Sequence, residues 1–312
     1  MTGSDIAVGR AEAHDAGGLL ALINLVQPHV PWDRAHLEWQ FFAPPAGPAR
    51  LYVVRDGSTI VSLYAAVAQR VTVAGQTVRG FMVQDVMTNP SYRGRGFLHQ
   101  LGALCLEEIR AAGDVGYTFP NKLSEGSFRR NGWAEIGLVP RRGASLPGPE
   151  LSLRPAPVQR LEEAFDERAT AIWEAAGLPT GVRRDVAFLR WRYGKPSARY
   201  ERFLVDGEAG FVVLKTFDDG PTRIVHLCDV VLRATARDQL PGVLASVFDL
   251  ARRRGARRLT AWLPAAHPYA PDFDKAGLLL EEHDRYMFVT GPAEMAVERQ
   301  VWHVTQGDSD VY

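Results

Sequence analysis

The stretch that most constrains this chain runs from Gln84 to Arg110. An apolar run from Phe81 to Met87 reaches Asn89 and Pro90, turns through Arg93-Gly94-Arg95-Gly96, and enters a pattern with Leu98, Leu101, Cys105 and Ile109 on one helical face. The pattern predicts a strand, a glycine-bearing turn and a helix N-terminus. Such a turn suits a diphosphate. Gly94 and Gly96 let the backbone approach a ligand, the first helical N–H groups have no intrahelical acceptor, and the helix dipole with Arg93 and Arg95 favours negative charge. The same residues also make an ordinary tight turn, so the motif alone leaves both readings open.

The flanking chain narrows the choice. Residues 6–13 read as a strand and 15–27 as an amphipathic helix, ended by Pro28 and Pro31, with a second short helix over 31–39. Strands are expected at 51–55 and 60–67 across Asp56-Gly57, and at 70–73 and 77–81 around Gly75. After the helix come Gly116-Tyr117-Thr118-Phe119-Pro120-Asn121, a short strand ending in Asn121, and Ser127-Phe128-Arg129-Arg130-Asn131-Gly132-Trp133, a helix end. Antiparallel strands followed by a strand-helix-strand unit predict an α/β sandwich with a mixed sheet.

Residues 141–157 are rich in glycine and proline and read as a linker. Beyond it the first half returns in altered form. Phe188-Leu189-Arg190-Trp191-Arg192-Tyr193 answers Leu37-Glu38-Trp39-Gln40-Phe41, Phe203-Leu204-Val205-Asp206-Gly207 answers Tyr52-Val53-Val54-Arg55-Asp56-Gly57, and Cys228-Asp229-Val230-Val231 answers Gln84-Asp85-Val86-Met87. A helix over 236–254 and strands at 258–263 and 285–289 complete the expected copy. Where the first copy has its glycines, the second has Leu232-Arg233-Ala234-Thr235-Ala236, which offers no close approach to a diphosphate.

The whole chain excludes several classes. Its 312 residues suffice for two domains, and its formal net charge of zero gives no footprint for nucleic acid or an anionic membrane. The cluster Arg252-Arg253-Arg254 with Arg257 and Arg258 falls at a predicted helix C-terminus, where cations suit the dipole. Cys105 and Cys228 lie inside apolar patterns, so neither a disulfide framework nor a metal site is expected. No basic start precedes a long apolar run and no stretch reaches about 18 apolar residues, which predicts a cytoplasmic protein without a signal peptide or membrane span.

Read as Val86-x-Thr88-x-Pro90-x-Tyr92-Arg93-Gly94-Arg95-Gly96-Phe97-Leu98, the turn resembles the acyl-CoA motif of the GNAT N-acyltransferase superfamily. The strand ending in Asn121 and the segment 127–133 resemble further motifs of that superfamily. The resemblance covers residues 50–140 as a linked set, and the repeat resembles tandem GNAT proteins with one live and one degenerate domain. It implies an α/β protein of two tandem GNAT-like domains, each a mixed, mostly antiparallel sheet flanked by helices. The expected division is 1–140 with the acyl-CoA site, a linker at 141–157, and a degenerate copy at 158–312. Leu98 departs from the signature, which has Gly or Ala there. Phe128 stands where many members carry a tyrosine that protonates the departing thiolate, so that role is not carried over.

The resemblance also implies the chemistry. Val86, Met87 and Thr88 would bind the pantetheine arm and polarise the thioester, Arg93, Gly94, Arg95, Gly96, Phe97, Leu98 and His99 would hold the diphosphate, and Asn121 and Phe128 would border the arm. The cofactor would be acetyl-CoA and the acceptor the primary amine of a small polar molecule, an amino sugar or sugar nucleotide fitting the acidic C-terminal stretch best. The aromatic residues Trp32, Trp39, Phe41 and Phe42 suit either core packing or a cap over the acceptor cleft.

Asp85, within the central strand, is the first candidate base, and Asn121 would bond to the pantetheine or to the attacking group. Asp229 repeats Asp85 in the copy that lacks glycines, which favours architecture over chemistry. The C-terminal stretch offers His303, Asp308, Asp310 and the Tyr312 carboxylate as a second set, because some two-domain GNAT proteins turn that end into the acceptor cleft; a strand edge that closes the second domain, with a polar surface end, is the other reading. The rival functions are a non-catalytic acyl-CoA sensor and a transferase drawing on aminoacyl-tRNA. The absence of net basic charge argues against the latter.

Overall fold

The computed structural model describes residues 5–139, 141–147, 154–178, 180–282 and 285–309. The chain divides into two compact units, one made of residues 1–137, 195–197 and 284–299, the other of 138–194, 198–283 and 300–312. Both are mixed α/β units built on a mostly antiparallel sheet.

The first unit begins with β1 (Ile6–Ala11), α1 (Ala16–Val26) and α2 (Arg34–Leu37), the last capped by the Asp33 side chain, which accepts from the His36 N–H at 2.7 Å. Then come β2 (Arg50–Asp56), β3 (Thr59–Val73), β4 (Gln76–Thr88), α3 (Phe97–Ala111), β5 (Val115–Thr118), α4 (Glu125–Arg130) and β6 (Ala134–Leu138). The segments expected as separate strands at 60–67 and 70–73 are one long β3, and 77–81 continues into β4. Residues 60–69 of β3 are buried without alternation, as in a strand covered on both faces. Strands β1 to β4 are antiparallel neighbours, while β4 and β5 run parallel because α3 carries the chain back over the sheet. The inner stripe of α3 is Phe97, Leu101, Cys105 and Ile109; Leu98, expected in it, is only half-buried.

The second unit contains β7 (Arg141–Ser145), β8 (Val158–Leu161), α5 (Glu167–Ala175), β9 (Thr180–Val182) and α6 (Val186–Arg192). They are followed by β10 (Glu201–Val205), β11 (Gly210–Asp219), β12 (Thr222–Leu232), α7 (Leu240–Arg253), β13 (Arg258–Trp262), α8 (Ala270–Lys275) and β14 (Leu279–Leu280). The chain ends through β15 (Tyr286–Thr290) and β16 (Trp302–His303), the latter paired in parallel with β9.

The sheet orders expose the duplication. The first reads β1-β2-β3-β4-β5-β15-β6, and the second, from its far edge, β8-β10-β11-β12-β13-β7-β14. Position by position they correspond, down to the parallel pairs β4-β5 and β12-β13. The sixth position of each is filled from a distant part of the chain. The strand read as the end of the second copy, β15, pairs with β5 through Phe288 opposite Thr118, Val289 opposite Tyr117 and Thr290 opposite Gly116. Gly116 permits it, since a Cβ there would lie 2.8 Å from both Thr290 and Trp133. Conversely, the start of the stretch read as linker is β7, antiparallel to β13. Its Arg142 is fully buried and donates to the Leu263 and Leu278 carbonyls at 3.1 and 3.0 Å.

Candidate active site

The end of β4 is distorted where a site would need it. Its parallel pairing with β5 covers Gly80 to Val83 against Val115 to Thr118 and stops there. On the other side Leu63 lies opposite Met87 and Ala65 opposite Gln84, so Tyr64 faces both Asp85 and Val86 across a bulge. Asp85 takes φ 51°, a left-handed conformation that costs an ordinary residue about 1–3 kcal/mol. Met87 and Thr88 remain paired with Leu63 and Ser62 of β3, but beyond Val83 the opposite edge of β4 has no β5 partner, so its backbone groups on that side are open to something other than a neighbouring strand.

The turn that follows is held open. Asn89 accepts from the Ser91 N–H at 3.0 Å, Tyr92 donates to Asp56 at 2.7 Å, and the Arg95 guanidinium lies 4.7 Å over the Tyr92 ring. Gly94 and Gly96 both have φ near +80°, and a Cβ on either would meet nothing within 4 Å. Both glycines therefore serve conformation, with clear space before them. The first α3 bond from this end runs from the Gln100 N–H to the Gly96 carbonyl at 3.1 Å, and Gly96 has no side chain to cap with. The N–H groups of Phe97, Leu98 and His99 thus have no intrahelical acceptor at the positive end of a 15-residue helix.

Turn, β4 end and α4 region surround a cavity of about 700 Å³. Val86, Met87, Thr88, Arg93, Gly94, Arg95, Gly96, Phe97, Leu98, His99, Asn121 and Phe128 all line it. So do Tyr64, Lys122 and Arg130, none of which the sequence singled out. With Arg93, Arg95, Lys122 and Arg130 against Glu125, the wall is positive and suits an anion. Lys122 and Arg130 flank recognisable motifs, but Tyr64 sits in an unbroken apolar strand, and only the bulge distinguishes it.

Asn121 and Phe128 have defined surroundings. The Asn121 side-chain oxygen accepts from the Leu123 and Ser124 N–H groups at 3.0 and 3.2 Å, forming the turn before α4 and leaving its amide nitrogen as the group to offer a ligand. Phe128 is buried among Tyr64, Trp133 and Phe288, with centroid distances of 6.1, 5.6 and 6.1 Å. Asp85 is half-buried and is not one of the cavity-lining residues.

In the second unit the corresponding place is filled. Pairing of β12 with β13 covers Ile224 to Leu227 against Arg258 to Ala261 and again stops, but here the chain's own C-terminal segment occupies the gap. Gln306 donates to Thr260 of β13 at 3.1 Å, and Gly307 is so close to β12 that a Cβ would clash with the Tyr193 hydroxyl and lie 3.0 Å from the Cys228 carbonyl. Asp229 is fully buried, bonded by Tyr193 Oη at 2.9 Å and Arg184 Nε at 3.1 Å. Burial alone would raise its carboxyl, yet Arg184, His303 and Tyr193 outweigh this and hold it at about 2. Asp308 belongs to the same cluster, accepting from Arg184 at 2.7 Å and the Thr305 N–H at 2.8 Å. Asp310 and Tyr312 lie outside the described residues. Among the described residues no group of His, Cys, Asp or Glu could hold a metal ion, and no helix is long and apolar enough to cross a membrane.

In the first unit a mixed sheet parts after its fourth strand and is joined by a glycine turn to a helix N-terminus over an open basic cavity. Residues 8–136 match the family model described as an acetyltransferase (GNAT) domain. Solved structures resemble nearly the whole chain. A conserved protein of unknown function from Enterococcus faecalis V583, described as a probable N-acyltransferase, is 13% identical with a TM-score of 0.70 over 92% of this chain and 72% of its own. A GCN5-related N-acetyltransferase from Anabaena variabilis ATCC 29413 is 13% identical, TM-score 0.66, over 91% and 72%. A tandem GNAT protein from the clavulanic acid biosynthesis pathway is 17% identical, TM-score 0.60, over 92% and 98%. No curated protein matches the sequence. The match to the GNAT domain model is confined to the first half of the chain, and the chain as a whole shares its fold with these solved structures.

Proposed function

We propose that this protein transfers an acetyl group from acetyl-CoA to the primary amine of a small polar acceptor. The observation that carries this reading is the α3 N-terminus, where Gly94 and Gly96 leave open space before N–H groups that lack intrahelical acceptors. These residues fit CoA: backbone donors and Arg93 and Arg95 for the diphosphate, the unpaired edge of β4 beyond Val83 and the Asn121 amide for the pantetheine arm. When bound, the thioester supplies an activated acetyl group. The protein's part is to orient it and offer β4 N–H groups to the charge that develops on the carbonyl oxygen.

An acceptor amine with a lysine-like pKa of about 10.4 must give up a proton, at a cost of roughly 4–5 kcal/mol at neutral pH. Asp85 is not part of the lining and Asp308 is bonded to Arg184, so water in the open cavity is the route we assign to that proton. The engagement of Asp308 also weakens the case for an amino sugar or sugar nucleotide, which rested on an acidic C-terminal stretch. The acceptor is therefore assigned only as a small amine.

Calorimetric titration of acetyl-CoA tests the cofactor assignment. Gly96→Glu puts a carboxylate where the diphosphate would lie, with no clash in the free protein, and backbone strain costs about 1–2 kcal/mol. The expected result is loss of acetyl-CoA binding in a folded variant; an unchanged dissociation constant would remove the assignment.

A further inference from the structure

The second unit has a cavity of its own, of about 620 Å³, beside the end of β8. Arg202 on β10 lies opposite Leu161, the last residue of β8, so the chain from Ala198 to Glu201 runs on without a β8 partner. Arg160, Arg199 and Arg202 line the space there, together with three carboxylates, Glu162, Glu201 and Asp218. Two of those carboxylates are already committed. Glu201 accepts from both Nε and Nη2 of Arg254, and Asp218 accepts from the same two atoms of Arg223 at 2.7 and 3.1 Å. Among the described residues of the lining, Glu162 alone is left to face the three arginines.

Arg202 is in an unusual state. It is half-buried, and its guanidinium has one partner among the described residues, the Tyr193 carbonyl at 2.7 Å. Burial pushes it below the usual arginine range, with no carboxylate to offset the loss of water. Arg184 is buried more deeply, which would lower it too, yet Asp229 and Asp308 hold it above that range. Lys215 repeats the condition of Arg202 nearby. Tyr200 and Arg202 share a face of the sheet by strand alternation, and the half-buried Lys215 ammonium lies 5.9 Å over the Tyr200 ring. Lys215 has no hydrogen bond or ion pair among the described residues, and burial, above all, lowers it. Arg199, exposed, has no side-chain partner among them either. Cations withdrawn from water without counter-charge are costly, so their gathering at an open cavity points to a ligand that brings negative charge.

We propose that this cavity is a second ligand site, distinct from the cavity of the first unit, and that it binds a phosphoryl group carried by a small metabolite. Arg202 and Arg199 present forked donors to the phosphoryl oxygens, while Arg160 and Lys215 add to the positive field. A dianion suits several uncompensated cations better than a single carboxylate does. The space also exceeds what an inorganic ion fills, which leaves room for an organic part. The unit whose own opening is closed by Gln306 and Gly307 thereby has a binding role of its own. The proposal does not rest on the acetyl-CoA reading.

Calorimetric titration of inorganic phosphate into the full chain, at fixed ionic strength, tests this. The glycine turn of the first unit also suits phosphate, so the titration is run on Gly96→Glu, in which that turn is blocked. One saturable phosphate site is expected to survive there, and adding Arg202→Gln should weaken it about tenfold or more while the melting temperature changes little. Should Arg202→Gln fail to fold, Arg199→Gln takes its place with the same expected loss, since that exposed side chain supports nothing in the fold. Absence of a phosphate site in Gly96→Glu would overturn the proposal, and so would an unchanged affinity in the folded arginine variant. Acetate binding as tightly as phosphate would overturn it as well, by making this a carboxylate site.

Discussion

At the scale of single residues, contrasting environments separate structure from function. Asp85 and Asp229 hold the same place in the repeat, yet Asp85 is strained on a bulge and half-buried, whereas Asp229 anchors a sealed ion cluster. The sequence repeat revealed the correspondence. It gave no sign of the difference, because that is made by Arg184, Tyr193 and Thr305, which are far from Asp229 in the chain. Buried histidines set the response to pH. Burial, above all, lowers His36 and His226 to about 4 and His267 to about 2. Unfolding frees each to bind a proton near 6.5, so the unfolded chain gains protons below that pH. The stabilising effect of neutral burial is complete above about 6.5 and is lost as pH falls toward 4. Urea midpoints should therefore be lower near pH 5 than near pH 7.5, and His226→Gln should lessen the difference; equal midpoints would contradict the account.

At the scale of elements, local pattern was legible and long-range pairing was not. The run into Gly94 and Gly96 and the α3 periodicity are written in neighbouring residues. Nothing near Phe288 says that its partner is Thr118, and the glycines and prolines of 141–157 concealed a strand with a buried arginine. This exchange has a consequence for the fragment 1–140. It would lack β15, leaving β5 with an open edge, β6 without its neighbour and the core around Phe128 and Trp133 without Phe288. We expect the fragment to aggregate or to melt without cooperativity. A cooperative melt together with acetyl-CoA binding by the fragment would show that β15 is dispensable.

At the scale of the whole molecule, the duplication leaves two equivalent openings, one after β4 and one after β12, with opposite fates. The first leads into a basic cavity beneath a glycine turn; the second is closed by Gln306 and Gly307 of the same unit. The loss of glycine at Leu232-Arg233-Ala234 was visible in the sequence, but the segment that fills the opening was not, since it is polar and lies some 75 residues downstream. Amide hydrogen exchange with and without acetyl-CoA tests this asymmetry most directly. The account predicts new protection at Val86 to Thr88 and Gly96 to His99, and none from Cys228 to Thr235. Protection appearing at the second opening, or at neither, would contradict it.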